Sequence, residues 1–246
     1  MKYWISALVL VLMASFQASA EELVFEPVSS GNFAILHLND EEVFLINTGS
    51  PNSQGEVLRY LNKVEDKHIK GILITQQTAN NCGNLSEIVN RYKIDNIYMA
   101  KHDNSTCEIP QSMKKYTYQL TKNDRMAISS KYYIEFIFGE DSETGNFAIS
   151  NGEFSCFWYE NHIEIQNWDH KVQILYLPDQ PSYAHLTEQE LIKLDPEVAI
   201  INQRQNIKSL IELFQKQWVD IYTLKRGASA HISIVQNDYD FYLKKD

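Results

Sequence analysis

The chain has 246 residues, with 22 basic against 32 acidic side chains and a formal net charge of −10. This acidity excludes a general attraction to nucleic acid or anionic lipid, while the length is ample for a buried core. Nine glycines and six prolines leave no long flexible linker, and no repeat or low-complexity tract appears.

The first 20 residues read as a secretory signal peptide. Lys2 gives a positive start, residues 4–16 are mostly apolar, and Ala18-Ser19-Ala20 has the small-x-small pattern of a cleavage site before Glu21. The run is shorter than the roughly 20 residues of a comfortable membrane span. No cysteine follows it closely, which argues against a lipid anchor; the alternative is an uncleaved N-terminal anchor. No later segment is apolar enough to span. The expectation is one domain, residues 21–246, exported to the periplasm or secreted.

Residues 23–25, 32–38 and 43–46 read as short strands, the last two joined as a hairpin through Asn39-Asp40. Residues 55–64 place Val57, Leu58 and Leu61 on one helical face. A strand over 70–74 then delivers the stretch that organises the chain, Thr75-Gln76-Gln77-Thr78-Ala79-Asn80-Asn81-Cys82-Gly83-Asn84. A helix over 85–92 and a strand over 94–100 follow, predicting parallel pairing with right-handed crossovers. Residues 114–177 look β-rich, with strands over 116–120, 125–128, 132–138, 154–159 and 172–177, expected in a second sheet. Thr187 and Glu190 form a capping-box pattern opening a helix. Residues 197–202, 207–218 and 220–224 read strand, helix, strand, and 230–235 reads as the last strand.

The organising stretch resembles the metal-binding loop of the metallo-β-lactamase fold, Thr-His-x-His-x-Asp-His-x-Gly-Gly after an apolar strand. Thr75 matches the threonine and Gly83 the first glycine, while Gln76, Thr78, Asn80 and Asn81 stand where the three histidines and the aspartate would be. Asn47-Thr48-Gly49 resembles the second motif, Asp-Thr-Gly, with Asn47 in place of the supporting aspartate. Asn151-Gly152-Glu153-Phe154-Ser155 resembles an Asn-x-x-Ser strand start. Asp179, after the apolar run 174–177, holds the place of the metal-bridging aspartate, the one ligand type that survives. Gln203-Arg204-Gln205-Asn206 stands where the last metal histidine is expected. Residues 31–101 look most like the β-lactamase-like domain of competence DNA-uptake channel proteins and their free-standing relatives.

The resemblance implies an α/β fold, an αββα four-layer sandwich of two mixed β-sheets with helices outside. The substitutions argue against its hydrolytic chemistry. Zinc needs imidazole, thiolate or carboxylate donors to hold it and acidify its water, and a neutral amide is a weak substitute. The expectation is therefore no metal or other cofactor, and Asp179 reads as a cap or turn residue. A relocated site built from His102, Asp179, His185 and His231 is the sharper alternative, against a reading of all seven histidines as surface and strand residues.

Three cysteines in an exported chain invite a bridge. Cys82 opens the helix after the amide loop, and Cys107 follows the neighbouring strand at the same end of the sheet. Cys82–Cys107 is the expected pair, with Cys156 free; three unpaired thiols is the alternative. No Gly-x-Ser-x-Gly elbow and no glycine-rich phosphate loop occur. The functional expectation is a non-catalytic, exported relative that binds an unknown protein or neutral polar ligand at the former active-site face. Two alternatives stand beside it: a metal-dependent nuclease or phosphodiesterase with a rearranged site, and a structural subunit of an envelope or DNA-uptake assembly.

Overall fold

Short apolar runs become fifteen strands among the residues that the computed structural model describes, namely 21–100, 106–121, 124–138, 145–161, 171–179, 186–202, 207–224, 227–235 and 238–245. The first sheet is built outward from β1 (Glu21–Phe25), which pairs antiparallel with β2 (Ala34–His37). The hairpin continues into β3 (Glu42–Ile46), turned by Asn39, whose side-chain oxygen accepts from the backbone N–H groups of Glu41 and Glu42, both at 2.8 Å. From β3 the pairing is parallel through β4 (His68–Ile74), β5 (Ile94–Ala100) and β6 (Thr117–Leu120). Helix α1 (Gln54–Asn62) makes the first crossover, and the short α2 (Ala79–Cys82) and α3 (Leu85–Arg91) make the second.

The second sheet begins with the antiparallel set β7 (Arg125–Ala127), β8 (Tyr133–Phe138), β9 (Gly145–Ser150) and β10 (Ser155–Trp158). It becomes parallel through β11 (Ile174–Leu177), β12 (Val198–Ile201) and β13 (Asp220–Thr223), with α4 (Glu188–Leu194) and α5 (Lys208–Lys216) on its outer face. The chain then returns to the first sheet. β14 (Ala228–Val235) pairs with β1, and β15 (Asp238–Lys245) pairs with β14 as the sheet's outermost strand.

Three apolar clusters set the layers. Between the sheets, Leu23, Phe25, Phe44, Ile46, Phe147, Trp158, Tyr176 and Ile232 interlock, with the rings of Phe25, Trp158 and Tyr176 at 4.5–4.9 Å. Outside the first sheet, Val57, Tyr60 and Leu61 of α1 and Leu85 and Ile88 of α3 cover Ile35, Val43, Leu45 and Ile72. Outside the second, Leu191, Leu194, Leu210 and Phe214 cover Leu175, Ala199 and Ile201. These are i, i+3 and i, i+4 spacings, so each helix closes one outer face with a single stripe. The capping box opens α4 as expected: the Thr187 hydroxyl accepts from Glu190 N–H and the Glu190 carboxylate accepts from Thr187 N–H. The result is the αββα order expected from the sequence.

Three sequence expectations are corrected. β6 belongs to the first sheet, because residue 97 of β5 supplies a parallel partner for Thr117. β9 was not foreseen; its buried Asn146 breaks the apolar run that would have marked it. Residues 230–235 are not the last strand, since β15 follows, an alternation of charged and aromatic residues that backbone pairing to β14 holds in place. Residues 1–20, read from the sequence as a signal peptide, lie outside the described residues.

Cys82 and Cys107 form a disulfide with their Cα atoms 5.7 Å apart, and Cys156 is free and buried, its thiol pKa pushed up by burial. The bridge spans 25 positions and ties α2 to the chain beyond β5. Reduction, or Cys107→Ser, is expected to lower the unfolding free energy by about 3 kcal/mol, read from denaturant titrations of oxidised and reduced protein.

Candidate active-site face

The loops that leave the C-terminal ends of β3, β4, β11 and β12 converge with the segment before β2. At their meeting point Gly31 has φ +81°, and a Cβ there would lie 2.1 Å from the Asn80 carbonyl oxygen. Glycine is required because two backbones touch and the turn is left-handed. The next residue, Asn32, is buried and anchors four loops. Its side-chain oxygen accepts from Tyr176 Oη–H at 3.2 Å, from Asp179 N–H at 2.8 Å and from Asn202 Nδ2 at 3.0 Å. Its Nδ2 donates to Asn81 Oδ1 at 2.8 Å, and its backbone N–H to the Asn80 carbonyl at 3.1 Å. Burial pushes the Tyr176 hydroxyl well above its ordinary pKa, which keeps it a donor.

A second set of bonds surrounds Thr75 at the end of β4. Asn47 sits at φ +60°, a left-handed conformation that asparagine tolerates, and this turns its amide onto Thr75. Asn47 Nδ2 donates to Thr75 Oγ1 at 2.9 Å, and Asn47 Oδ1 accepts from Thr75 N–H at 2.9 Å. The Thr75 hydroxyl donates to the buried Glu160 carboxylate, and Asn81 Nδ2 reaches Thr75 Oγ1 at 3.4 Å. Asn146 holds the Glu160 backbone, its Oδ1 accepting at 2.6 Å. Asn84 Nδ2 bonds the carbonyls of Thr48 and Ser50, at 2.7 and 2.8 Å, closing the Asn47–Gly49 turn against the start of α3.

The four positions that the sequence reading set against the metal loop, Gln76, Thr78, Asn80 and Asn81, part company. Asn81 is 1% exposed and spends both ends of its amide inside the network. Gln76 is half-buried and donates to the Glu160 carbonyl at 3.4 Å. Thr78 and Asn80 are exposed. Gln77, read from the sequence as part of the same polar surface, is buried and donates to the Ala100 carbonyl. Asp179 is placed at the same centre, its N–H held by Asn32.

A divalent ion does not fit this donor set. Asn47 and Asn81 are neutral amides engaged at both ends by neighbours, and no group of three or more His, Cys, Asp or Glu side chains that could hold a metal exists among the described residues. The relocated arrangement does not assemble around His231 either. That ring spends Nδ1 on Glu22 at 2.9 Å and Nε2 on Ser229 at 2.8 Å, on the outer face of the first sheet, whereas Asp179 is held at Asn32. His102 and His185, like His162 and His170 and the run Gln203-Arg204-Gln205-Asn206, lie outside the described residues. His37 ends β2, and His68 pairs with Asp95 at 2.9 Å.

Comparison with solved structures decides the fold. The chain has the metallo-β-lactamase fold. It superposes on a metal-dependent hydrolase of the β-lactamase superfamily, Tm1679, with TM-score 0.56 at 10% identity, covering 87% of this chain and 100% of that one. It also superposes on a diphosphatase from the PhnP family, with TM-score 0.54 at 13% identity, covering 83% and 86%. At such identities the likeness establishes the architecture alone. No protein-family model and no curated protein matches this metallo-β-lactamase-fold chain by sequence.

Sequence reasoning missed Asn32, Glu160, Asn146 and Asn202, isolated polar residues that carry no motif. It named His231 only for a relocated metal site and missed its grouping with Ser229 and Glu22, which stand in the donor order of a serine–histidine–acid relay. Ser229 is 1% exposed, closed in against the Lys244 carbonyl at 3.3 Å, so its hydroxyl is out of reach of a substrate. The group instead fastens strands: Glu22 also accepts from the Tyr242 hydroxyl at 2.5 Å, and the rings of His231 and Tyr242 stack at 4.9 Å.

Asn32→Ala removes the partner of two buried donors, one part-buried donor and one buried acceptor at once, and is expected to cost about 3 kcal/mol of stability in chemical denaturation. The hydrogen bond from His231 pulls the Glu22 carboxyl down to about 2 against the cost of burial, with Tyr242 assisting. Because the folded pKa is depressed, this stabilisation is complete above the ordinary value of 4.5 and is lost as pH falls from there towards about 2. The stability difference between the wild type and Glu22→Gln is expected to shrink over that window, followed by denaturation at stepped pH.

Proposed function

We propose that this is an exported, non-catalytic protein of the metallo-β-lactamase fold that binds a partner or neutral polar ligand at the former active-site face. The observation that carries the reading is the state of Asn81 and Asn47. Each stands at a position that grips or supports the metal in the resemblance drawn above, and each has its amide spent on neighbours. A hydrolytic site needs open coordination positions and a polarised water. This centre offers a closed network instead. What it leaves to solvent is Thr78 and Asn80, with Gln76 and Asp179 half-buried. The three loop side chains donate and accept hydrogen bonds without fixed charge and Asp179 is acidic, which favours a neutral polar partner over a phosphate.

Export is supported by the signal-like residues 1–20 and by the disulfide, which persists in oxidising compartments. No helix of the described residues is long and apolar enough to cross a membrane. The DNA-uptake setting suggested by residues 31–101 belongs to the same proposal, with the partner a protein of that assembly, since the net charge of −10 does not favour nucleic acid.

Two measurements test the reading. Zinc titrated into the purified full chain is expected to show no stoichiometric tight site and to induce no phosphodiesterase activity. Stoichiometric zinc with turnover abolished by chelation would overturn the proposal. Gln76→Ala, Thr78→Ala and Asn80→Ala combined spare the buried side chains Asn32, Asn47, Thr75 and Asn81 and remove only the Gln76 bond to the Glu160 carbonyl. The triple variant is expected to lose whatever partner the wild type recovers from the exported fraction, and undiminished recovery would count against this face.

A further inference from the structure

We infer that β15 is a self-association edge, at which two copies of this chain pair antiparallel about a two-fold axis centred on Tyr242. β15 is the outermost strand of its sheet and is paired with β14 over all eight residues, Asp238 to Lys245. Its other edge has no strand beside it among the described residues. It contains neither proline nor glycine and has no bulge in its pairing with β14. Such an edge is a template for another strand unless something blunts it.

Charge is the usual blunting device, but here the charges are sorted along the strand. Asp238 and Asp240 lie in the first half, Lys244 and Lys245 in the second. In a parallel pair, like would face like. In an antiparallel pair centred on Tyr242, Asp240 faces the second copy's Lys244, and its symmetry mate repeats the contact. Opposed residues of an antiparallel pair share a face, so the register also obeys the pleat. On the outer face Asp240, Tyr242 and Lys244 meet their counterparts, with Tyr242 opposite Tyr242. On the inner face Phe241 meets Leu243.

The exposure of these side chains fits the same register. Tyr242 is 44% and Leu243 50% exposed, large apolar surface standing at the open edge. Phe241 packs inward on Tyr222 at 4.2 Å between ring centres, leaving Leu243 beyond the cover of the second sheet. A Phe241–Leu243 contact across the axis would cover it. The strand is also held rigid, because Tyr242 is bonded to Glu22 and stacked on His231. A fixed edge has little backbone entropy left to lose on pairing. The dimer would join two eight-stranded sheets into one continuous sheet, a small interface that places association in the micromolar range.

Sedimentation equilibrium of the full chain is expected to show a reversible dimer across micromolar concentrations. Asp240→Lys alone, or Lys244→Asp alone, puts like charges opposite one another twice per dimer and is expected to weaken association about tenfold. The double exchange, Asp240→Lys with Lys244→Asp, restores the opposition and is expected to recover the wild-type constant. A chain that stays monomeric throughout overturns the inference. So does a double variant no better than the single ones, or single variants that dimerise unchanged. Recovery in the double variant also excludes a general folding defect, and none of these outcomes depends on the loop at Thr78 and Asn80.

Discussion

One buried amide holds the two halves of this protein in register. The side chain of Asn32, on the segment entering β2, accepts hydrogen bonds from the ends of β11 and β12 in the second sheet and donates one to the loop after β4 in the first. A buried polar group must be satisfied, and a network in which every member depends on the next has few alternative arrangements. Asn32 therefore decides where the Asn80–Asn81 turn sits, and Gly31 makes room for it. The apolar core sets how far apart the sheets lie. The amide sets how their loops meet.

That constraint bears directly on chemistry. Loops at this end of an α/β sheet are where a site is ordinarily built. In this chain the inward-facing amides and hydroxyls satisfy one another with hydrogen bonds, and the buried Glu160 carboxylate accepts from the Thr75 hydroxyl. Asn47 does for Thr75 what a carboxylate would do for a cation-bearing loop, through an amide that donates as well as accepts. The disulfide adds a covalent brace to the same loop end by fixing α2 beyond β5. The reading of a binding face follows from this closure.

The two polar clusters of the molecule are organised differently. Around Asn32 the hydrogen-bonding side chains are amides and a tyrosine hydroxyl held between loops, with the Glu160 and Asp179 carboxylates near enough to act on Tyr176. Around Glu22 they are ionisable and lie across three strands, β1, β14 and β15. The second cluster locks the edge strand onto the sheet, and the shifted Glu22 carboxyl and Tyr242 hydroxyl, the latter pushed up to about 12 by its bond to Glu22, are consequences of that fastening. A rigid, charge-sorted edge and a closed loop centre are thus separate features of one sheet, at different places and with different chemistry.

The sequence led to the strand–loop–helix units of the first half, the capping box of α4 and, through the resemblance its motifs carry, the αββα order; it made Cys82–Cys107 the expected pair, with three unpaired thiols as the alternative. All of these rest on periodicity, local signals and a motif whose spacing survives even where its side chains have changed. Of the positions that the resemblance aligns with the metal ligands, Gln76, Thr78, Asn80 and Asn81 carry neutral side chains and Asp179 a carboxylate. Only the tertiary structure decided which of those groups face inward: Asn81 and Gln77 are buried while Thr78 and Asn80 are exposed, although all four look alike in the chain. Asn32, Glu160 and Asn202 were invisible for the same reason, since a hydrogen bond between residues 170 positions apart leaves no mark on the local pattern. The sheet to which β6 belongs and the existence of β15 were likewise settled by long-range backbone pairing, which is nearly indifferent to side-chain identity.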